Sequence, residues 1–165
     1  MIIAKSDGEI LTYDKRHLFS FGDEDKYFSP GQKRVVFELK GWKICPQICY
    51  DLRFPVWSRN TEEIDLYIYV ANWPAVRSSA WDKLLQARAI ENVSYVAGIN
   101  RIGYDDTNKH YGGNSAIIDF IGEYIFQYPI DVDHTEIRTL NKENLTSFRA
   151  KFSALDDRDK FEIIE

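Results

Sequence analysis

The 165-residue sequence lacks the features that mark several function classes. Its only cysteines are Cys45 and Cys49. In a chain with no secretory leader in view, two such thiols do not predict a structural disulfide. His17, His110 and His134 are scattered, and no second Cys or His cluster completes a ligand set. A metal centre is therefore not expected, and no other cofactor is implied. Basic residues are interspersed with acids, 21 against 26, for a net charge of −5. That leaves no phosphate-neutralising stripe for a nucleic acid partner. The longest apolar run, Leu66 to Ala71, is strand-sized and far short of the roughly 20 residues a membrane helix needs. The opening Met1 to Asp7 has no apolar h-region, so a secretory signal is not expected there. A soluble, cytoplasmic protein without a membrane partner is the expectation. Internal repeats and low-complexity segments are also missing.

What is present reads mostly as strands. Ile2 to Lys5 and Ile10 to Tyr13 alternate around an Asp7-Gly8 turn, which predicts a β-hairpin. Arg34 to Leu39 and Trp42 to Ile48 flank Lys40-Gly41 and predict a second hairpin, which delivers the chain to Cys49. Asp65 to Asn72 is apolar enough for a buried central strand. Ser78 to Asn92 carries Trp81, Leu84, Leu85 and Ala89 at helical spacing, with Ser78 or Ser79 as the expected N-cap. Ser94 to Asn100 is strand again, and Ser115 to Phe120 with Tyr124 to Tyr128 forms a third hairpin. A short strand over Glu136 to Leu140 and a helix over Asn144 to Phe152 complete the pattern. The expected fold class is α/β, with sheets covered by helices. A domain over 1–152 would be followed by a charged, peripheral tail, 153–165.

Chemistry concentrates in Cys49-Tyr50-Asp51-Leu52-Arg53-Phe54-Pro55. A cysteine at the end of an apolar strand, followed by a polar turn, suits a nucleophile held on a strand-to-helix bend. A buried core thiol is the commoner fate of an isolated cysteine with this local pattern. If both cysteines lie on one extended strand, their even spacing points them to the same face. Lys15, in Tyr13-Asp14-Lys15-Arg16-His17-Leu18-Phe19, is either a solvated surface group or a cation that stabilises a nearby thiolate. Glu24, in Asp23-Glu24-Asp25, has the bland reading of a charged loop.

Taken in order, these segments are not independent. Tyr13 to Phe19, Ser29-Pro30-Gly31, Ile48 to Pro55, Tyr69 to Pro74, Ala87 to Asn92 and Gly98 to Arg101 together resemble the nitrilase superfamily of carbon–nitrogen hydrolases. The likeness runs from Gly8 to about Glu123. It is greatest with the bacterial omega-amidase branch, on the strength of Val56-Trp57-Ser58-Arg59-Asn60.

The resemblance implies an α-β-β-α sandwich carrying a Glu-Lys-Cys triad. Cys49 matches the nucleophile, Lys15 the triad lysine and Glu24 a second glutamate that positions groups at the site. The Tyr50 backbone N–H and the Lys15 ammonium would form the oxyanion site. The implied reaction is hydrolysis of a small linear amide, an omega-amide of a dicarboxylic acid, through a thioester. Another superfamily amidase or carbamoylase, or an inactive truncated domain kept for association, are the alternatives. The triad glutamate of the family lies well upstream of the lysine motif, and its role is not transferable to Glu9. The sequence therefore reads as one entered partway through the fold, and an exposed apolar edge is expected.

Further residues carry functional or structural readings. Asn72 and Trp73 follow a strand end, where α/β proteins place ligands, and Trp73 serves equally for packing. Arg53 suits a substrate carboxylate or an ion pair with a nearby acid. Arg88 and Glu91, three apart on the helix, are expected to pair. Trp57, with the family's habit of self-association, suggests the face of a homodimer or higher oligomer.

Overall fold

The computed structural model describes residues 1–163. The first hairpin forms as expected, β1 (Ile2–Ala4) against β2 (Ile10–Thr12), around Gly8 at φ +90°. It remains a separate two-stranded unit. The second joins β3 (Phe37–Leu39) to β4 (Trp42–Ile48), and both turn residues, Lys40 and Gly41, have positive φ. Two such residues give the turn the twist that a tight hairpin requires.

From β4 the chain enters the main sheet. β4, β5 (Leu66–Ala71) and β6 (Tyr95–Asn100) are parallel neighbours. Parallel strands need a crossover, and α1 (Ser78–Asn92) supplies it between β5 and β6. A small hairpin that the sequence pattern did not announce follows, β7 (Ile102–Tyr104) with β8 (His110–Gly112). The third expected hairpin, β9 (Ala116–Ile118) with β10 (Tyr124–Gln127), then adds to β6. The six-stranded sheet thus has the order β10-β9-β6-β5-β4-β3. α2 (Lys142–Lys151) closes the order of elements.

Helix α1 buries Trp81, Leu85 and Ala89, each four residues apart, against the sheet. Gly98 on β6 permits that approach. A Cβ there would lie 2.5 Å from Leu85 Cδ1 and 2.8 Å from Trp81 Cζ2. No serine caps the helix: the N-cap is Arg77, without a side-chain bond. A 3-10 turn, Ala75–Arg77, runs directly into α1, and the Ser78 amide already has the Ala75 carbonyl as partner. α2 starts two residues earlier than expected because the Asn141 side chain accepts from the Asn144 amide at 2.9 Å.

Three expectations change. β5 is buried on one face only: Tyr67 and Tyr69 are fully enclosed towards the α1 side, whereas Leu66, Ile68 and Val70 are half-buried. Apolar exposure accordingly includes a sheet face, not just an edge, with Ile99 of β6 48% exposed. Glu136 to Leu140 forms no strand, since its contacts are made by side chains, Arg138 pairing with Glu136 and covering the Phe126 ring. The segment after α2 is not wholly peripheral, because Leu155 joins Val93, Tyr95 and Leu145 in a second small core.

That second core is tied down by one acid. Asp65 receives Arg149 at 3.3 Å and Lys142 at 2.7 Å, and Arg149 also donates to the Ile64 and Val93 carbonyls. No helix among the described residues is long and apolar enough to cross a membrane.

Candidate active site

Strand β4 ends at Ile48, and the next residue, Cys49, has φ +47°. A left-handed backbone is uncommon for a residue with a side chain and points to a constrained position. It also takes Cys49 off the strand, so the shared-face expectation for the two cysteines does not apply. Cys45 stays in the strand and is completely buried, which pushes its thiol up to about 12. Cys49 begins a 3-10 turn, Cys49–Arg53, and its Sγ lies 3.9 Å from the Asn72 carbonyl. At the start of such a turn the Cys49 and Tyr50 amides have no acceptor within the turn itself. Burial raises the Cys49 thiol, and the Lys15 ammonium opposes that shift.

Lys15 and Glu24 form an ion pair at 2.5 Å, with Lys15 nearly enclosed. Glu24 is itself held, because the same oxygen, Oε2, accepts from the Phe19 amide at 2.9 Å. Lys15, Glu24, Cys49 and Asn72 line one cavity of about 610 Å³, together with Tyr13, Phe19 and Phe28 among others. The Ser-Pro-Gly turn packs directly on the lysine segment. The Gly31 amide donates to the Lys15 carbonyl at 2.8 Å, and a Cβ on Gly31 would fall 2.1 Å from the Asp14 carbonyl oxygen.

One residue that the motifs contained but did not explain joins these pieces. Asp51, fully buried two residues after Cys49, accepts from Tyr13 Oη at 2.7 Å and from the Ile48 amide at 3.1 Å through Oδ2. Its Oδ1 receives the His17 amide and His17 Nδ1, both at 2.9 Å. Tyr13 and His17 flank Lys15, so one carboxylate holds the lysine segment to the turn that carries the thiol. The His17 ring stacks on Phe54 at 3.7 Å, and Trp57 Nε1 donates to Tyr13 Oη at 3.0 Å. Burial and the Asp51 carboxylate keep the Tyr13 phenol protonated well beyond its ordinary range. Trp57 is thereby buried in this cluster, not presented as an association face.

Of the remaining candidates, Tyr50, Arg53 and Trp73 fall outside the cavity wall and only Asn72 lines it. Trp73 is buried against Trp81, and Arg53 is exposed with its guanidinium 5.0 Å from the Trp73 ring. Among the described residues Arg53 has no carboxylate partner. The Tyr50 ring packs edge-on against Phe19 and Phe54. Asn72 is exposed at the rim. Asn100, at the end of β6, latches the adjoining loop: its side chain accepts from the Trp73 amide at 2.7 Å and donates to the Trp73 carbonyl at 3.0 Å. Arg88 pairs with Glu91 as expected, at 2.8 Å, and also donates to the Leu52 carbonyl of the cysteine turn at 2.7 Å.

A strand-end cysteine on a strained turn, a lysine–glutamate pair in the same cavity and a mixed sheet with three parallel central strands define a class. The chain belongs to the carbon–nitrogen hydrolase family, whose profile matches residues 1–150. It is 51% identical to omega-amidase YafV of Yersinia enterocolitica over 160 residues, 97% of this chain and 62% of that protein. It is 43% identical over 122 residues to a 2-oxoglutaramate amidase of Bacillus subtilis, covering 72% of this chain and 47% of the relative. The crystal structure of XC1258 from Xanthomonas campestris, a CN-hydrolase superfamily protein with an arsenic adduct in its active site, superposes with a TM-score of 0.95. It is 44% identical and matches 98% of this chain and 64% of that one. The fold is thus the mixed α/β fold of nitrilase-superfamily proteins. The chain spans about three fifths of the length of its YafV relative.

Proposed function

We propose that this chain carries the nucleophile half of an amidase site that hydrolyses small omega-amides of dicarboxylic acids. The observation that carries the reading is the placement of Cys49 at φ +47°, in one cavity with the Lys15–Glu24 pair. The names of the relatives, an omega-amidase and a 2-oxoglutaramate amidase, support the substrate class.

In the proposed reaction the Cys49 thiolate attacks the amide carbonyl, and the C–S bond forms as the carbonyl π electrons move to oxygen. The Tyr50 N–H and the Lys15 ammonium stabilise that oxyanion. Collapse expels ammonia, once its nitrogen has been protonated, and leaves a thioester. Water then attacks the thioester, releasing the carboxylate and returning the thiol. Glu24 holds Lys15 in place through their ion pair. It is not assigned the proton transfers, because it is engaged by both Lys15 and the Phe19 amide. We assign those transfers to a carboxylate outside the described residues, in the part of the fold that the remaining length of the relatives represents.

The test is ammonia release from succinamate. The 165 residues joined to the upstream portion of the Yersinia enterocolitica relative are expected to release ammonia, and Cys49→Ala in that protein to abolish it. Release that persists without Cys49, or none from either protein, would overturn the amidase reading. The 165 residues alone are expected to show little turnover. Brisk Cys49-dependent release from them would place the missing base within this chain.

A further inference from the structure

Lys15 and Cys49 reach their cavity from different parts of the chain, and those parts meet a second time outside it. Arg16 and His17, which follow the lysine, face Phe54 to Trp57, which follow the cysteine turn, across a cavity of about 170 Å³. The two cavities share no lining residue. Along this seam His17 stacks on Phe54 at 3.7 Å, and the Arg16 guanidinium lies 5.3 Å from the centre of the Trp57 ring. Asp51 ties the same two segments together from the inside, by its hydrogen bonds to His17 and Tyr13. From the outside, the seam is closed by rings and by one aliphatic side chain.

That side chain comes from far along the sequence. Ile163 completes the wall of the seam cavity, and although it lies in no helix or strand it is only 40% exposed. The segment after α2 is held on the way there. Leu155 is fixed in the second core, and Phe161 shares a further cavity wall with Thr61. The facing stretch is also held, because Arg34 donates to the Trp57 carbonyl at 3.2 Å and to the Arg59 carbonyl at 2.7 Å. An apolar wedge between two segments that are each anchored elsewhere keeps them in one relative position, and removal of its surface from water favours the closed seam. His17 is two residues from Lys15, so the position of the lysine depends on whether the seam stays closed.

We propose that Ile163 is a positioning residue for the Lys15–Cys49 pair: it wedges the seam between the lysine segment and the cysteine turn, which makes the stretch after α2 a strap that supports the active site. The proposal rests on the reading of Cys49 and Lys15 as the working pair of an amidase site. Ile163 acts on the thiol only through the lysine, and that restriction is what the test examines, without requiring turnover.

The measurement is the pH profile of Cys49 alkylation by iodoacetamide in the 165-residue chain, read by peptide mass spectrometry. Ile163→Ser empties the seam without adding charge. Its profile is expected to move to higher pH by about half a unit to one unit, a fraction of the roughly one to three units that an adjacent opposite charge supplies. Ile163→Leu, which refills the seam, should restore the original profile. In the Lys15→Met background, where the profile has already moved to higher pH, Ile163→Ser should add nothing. Ile163→Thr, a smaller change, carries the same test if the serine variant fails to fold. An unchanged profile in the variant would overturn the proposal and leave the Lys15–Cys49 pair standing. An equal shift with and without Lys15 would also overturn it, because Ile163 would then act on the thiol by another route. A Lys15→Met profile that does not move would count against the pair itself and remove this inference with it.

Discussion

Asp51 Oδ1 accepts two hydrogen bonds from one residue, the backbone amide and the ring Nδ1 of His17, each at 2.9 Å. An ionised carboxylate only accepts, so Nδ1 carries the proton and the ring is fixed in orientation. The same side chain reaches the Ile48 amide and Tyr13 Oη. The geometry between Lys15 and Cys49 therefore depends on a buried acid that occupies neither proposed chemical role.

Asp51→Asn is expected to destabilise the chain by about 2–4 kcal/mol, because an amide cannot accept from all of these donors and leaves buried groups unpaired. Denaturant unfolding measures the loss. Alkylation of Cys49 under native conditions should also lose its dependence on Lys15, compared as Lys15→Met in the two backgrounds. Retention of that dependence would mean that Asp51 does not position the lysine segment.

The two cysteines should label very differently. Cys45 is enclosed and its thiol is pushed up to about 12, whereas Cys49 is half-buried beside Lys15. Native-state iodoacetamide labelling is expected to favour Cys49 by about tenfold or more. Equal rates would show that the Cys49 cavity is closed to reagents.

The pH profile of Cys49 labelling should move in opposite directions on substitution of its two charged neighbours. Burial raises the thiol, Lys15 lowers it and Glu24 raises it. Removing the cation in Lys15→Met makes the thiolate harder to form, so the profile shifts to higher pH. Removing the anion in Glu24→Gln makes it easier, so the profile shifts to lower pH. Shifts of the same sign would contradict the arrangement of charges in the cavity.

Gly98→Ala should cost about 1–3 kcal/mol, since the added methyl would meet Leu85 and Trp81 well inside contact distance. Its effect is read as a lower denaturant midpoint with an unchanged slope.

Arg149→Leu should loosen the attachment of α2. It removes donors to Asp65, Ile64 and Val93 and leaves Lys142 as the remaining cation on Asp65. A loss of about 2–3 kcal/mol is expected, and amide hydrogen exchange in Lys142–Lys151 should rise first. Uniform exchange throughout the chain would show that α2 is not a separately released element.

Much of this architecture is written locally. The Asp7-Gly8 and Lys40-Gly41 turns, the apolar spacing of Trp81, Leu85 and Ala89, and the run Leu66 to Ala71 each specify their element through short-range sterics and periodicity. The order of motifs from Tyr13 to Arg101 was enough to identify the family and to nominate Cys49, Lys15 and Glu24, all of which line the one cavity. What the sequence could not specify depends on partners distant along the chain. Asp51 looked like a turn residue until its contacts, 34 to 38 residues away, were in place. Trp57 looked like surface until Tyr13 and Arg16 covered it. Glu136 to Leu140 had strand propensity but found no sheet edge to complete it. The sign of φ at Cys49, the seam that Ile163 closes and the half-buried face of β5 were likewise decided only by tertiary structure. Burial and hydrogen-bond satisfaction are properties of the packed chain, and local pattern carries them only where one element determines both partners.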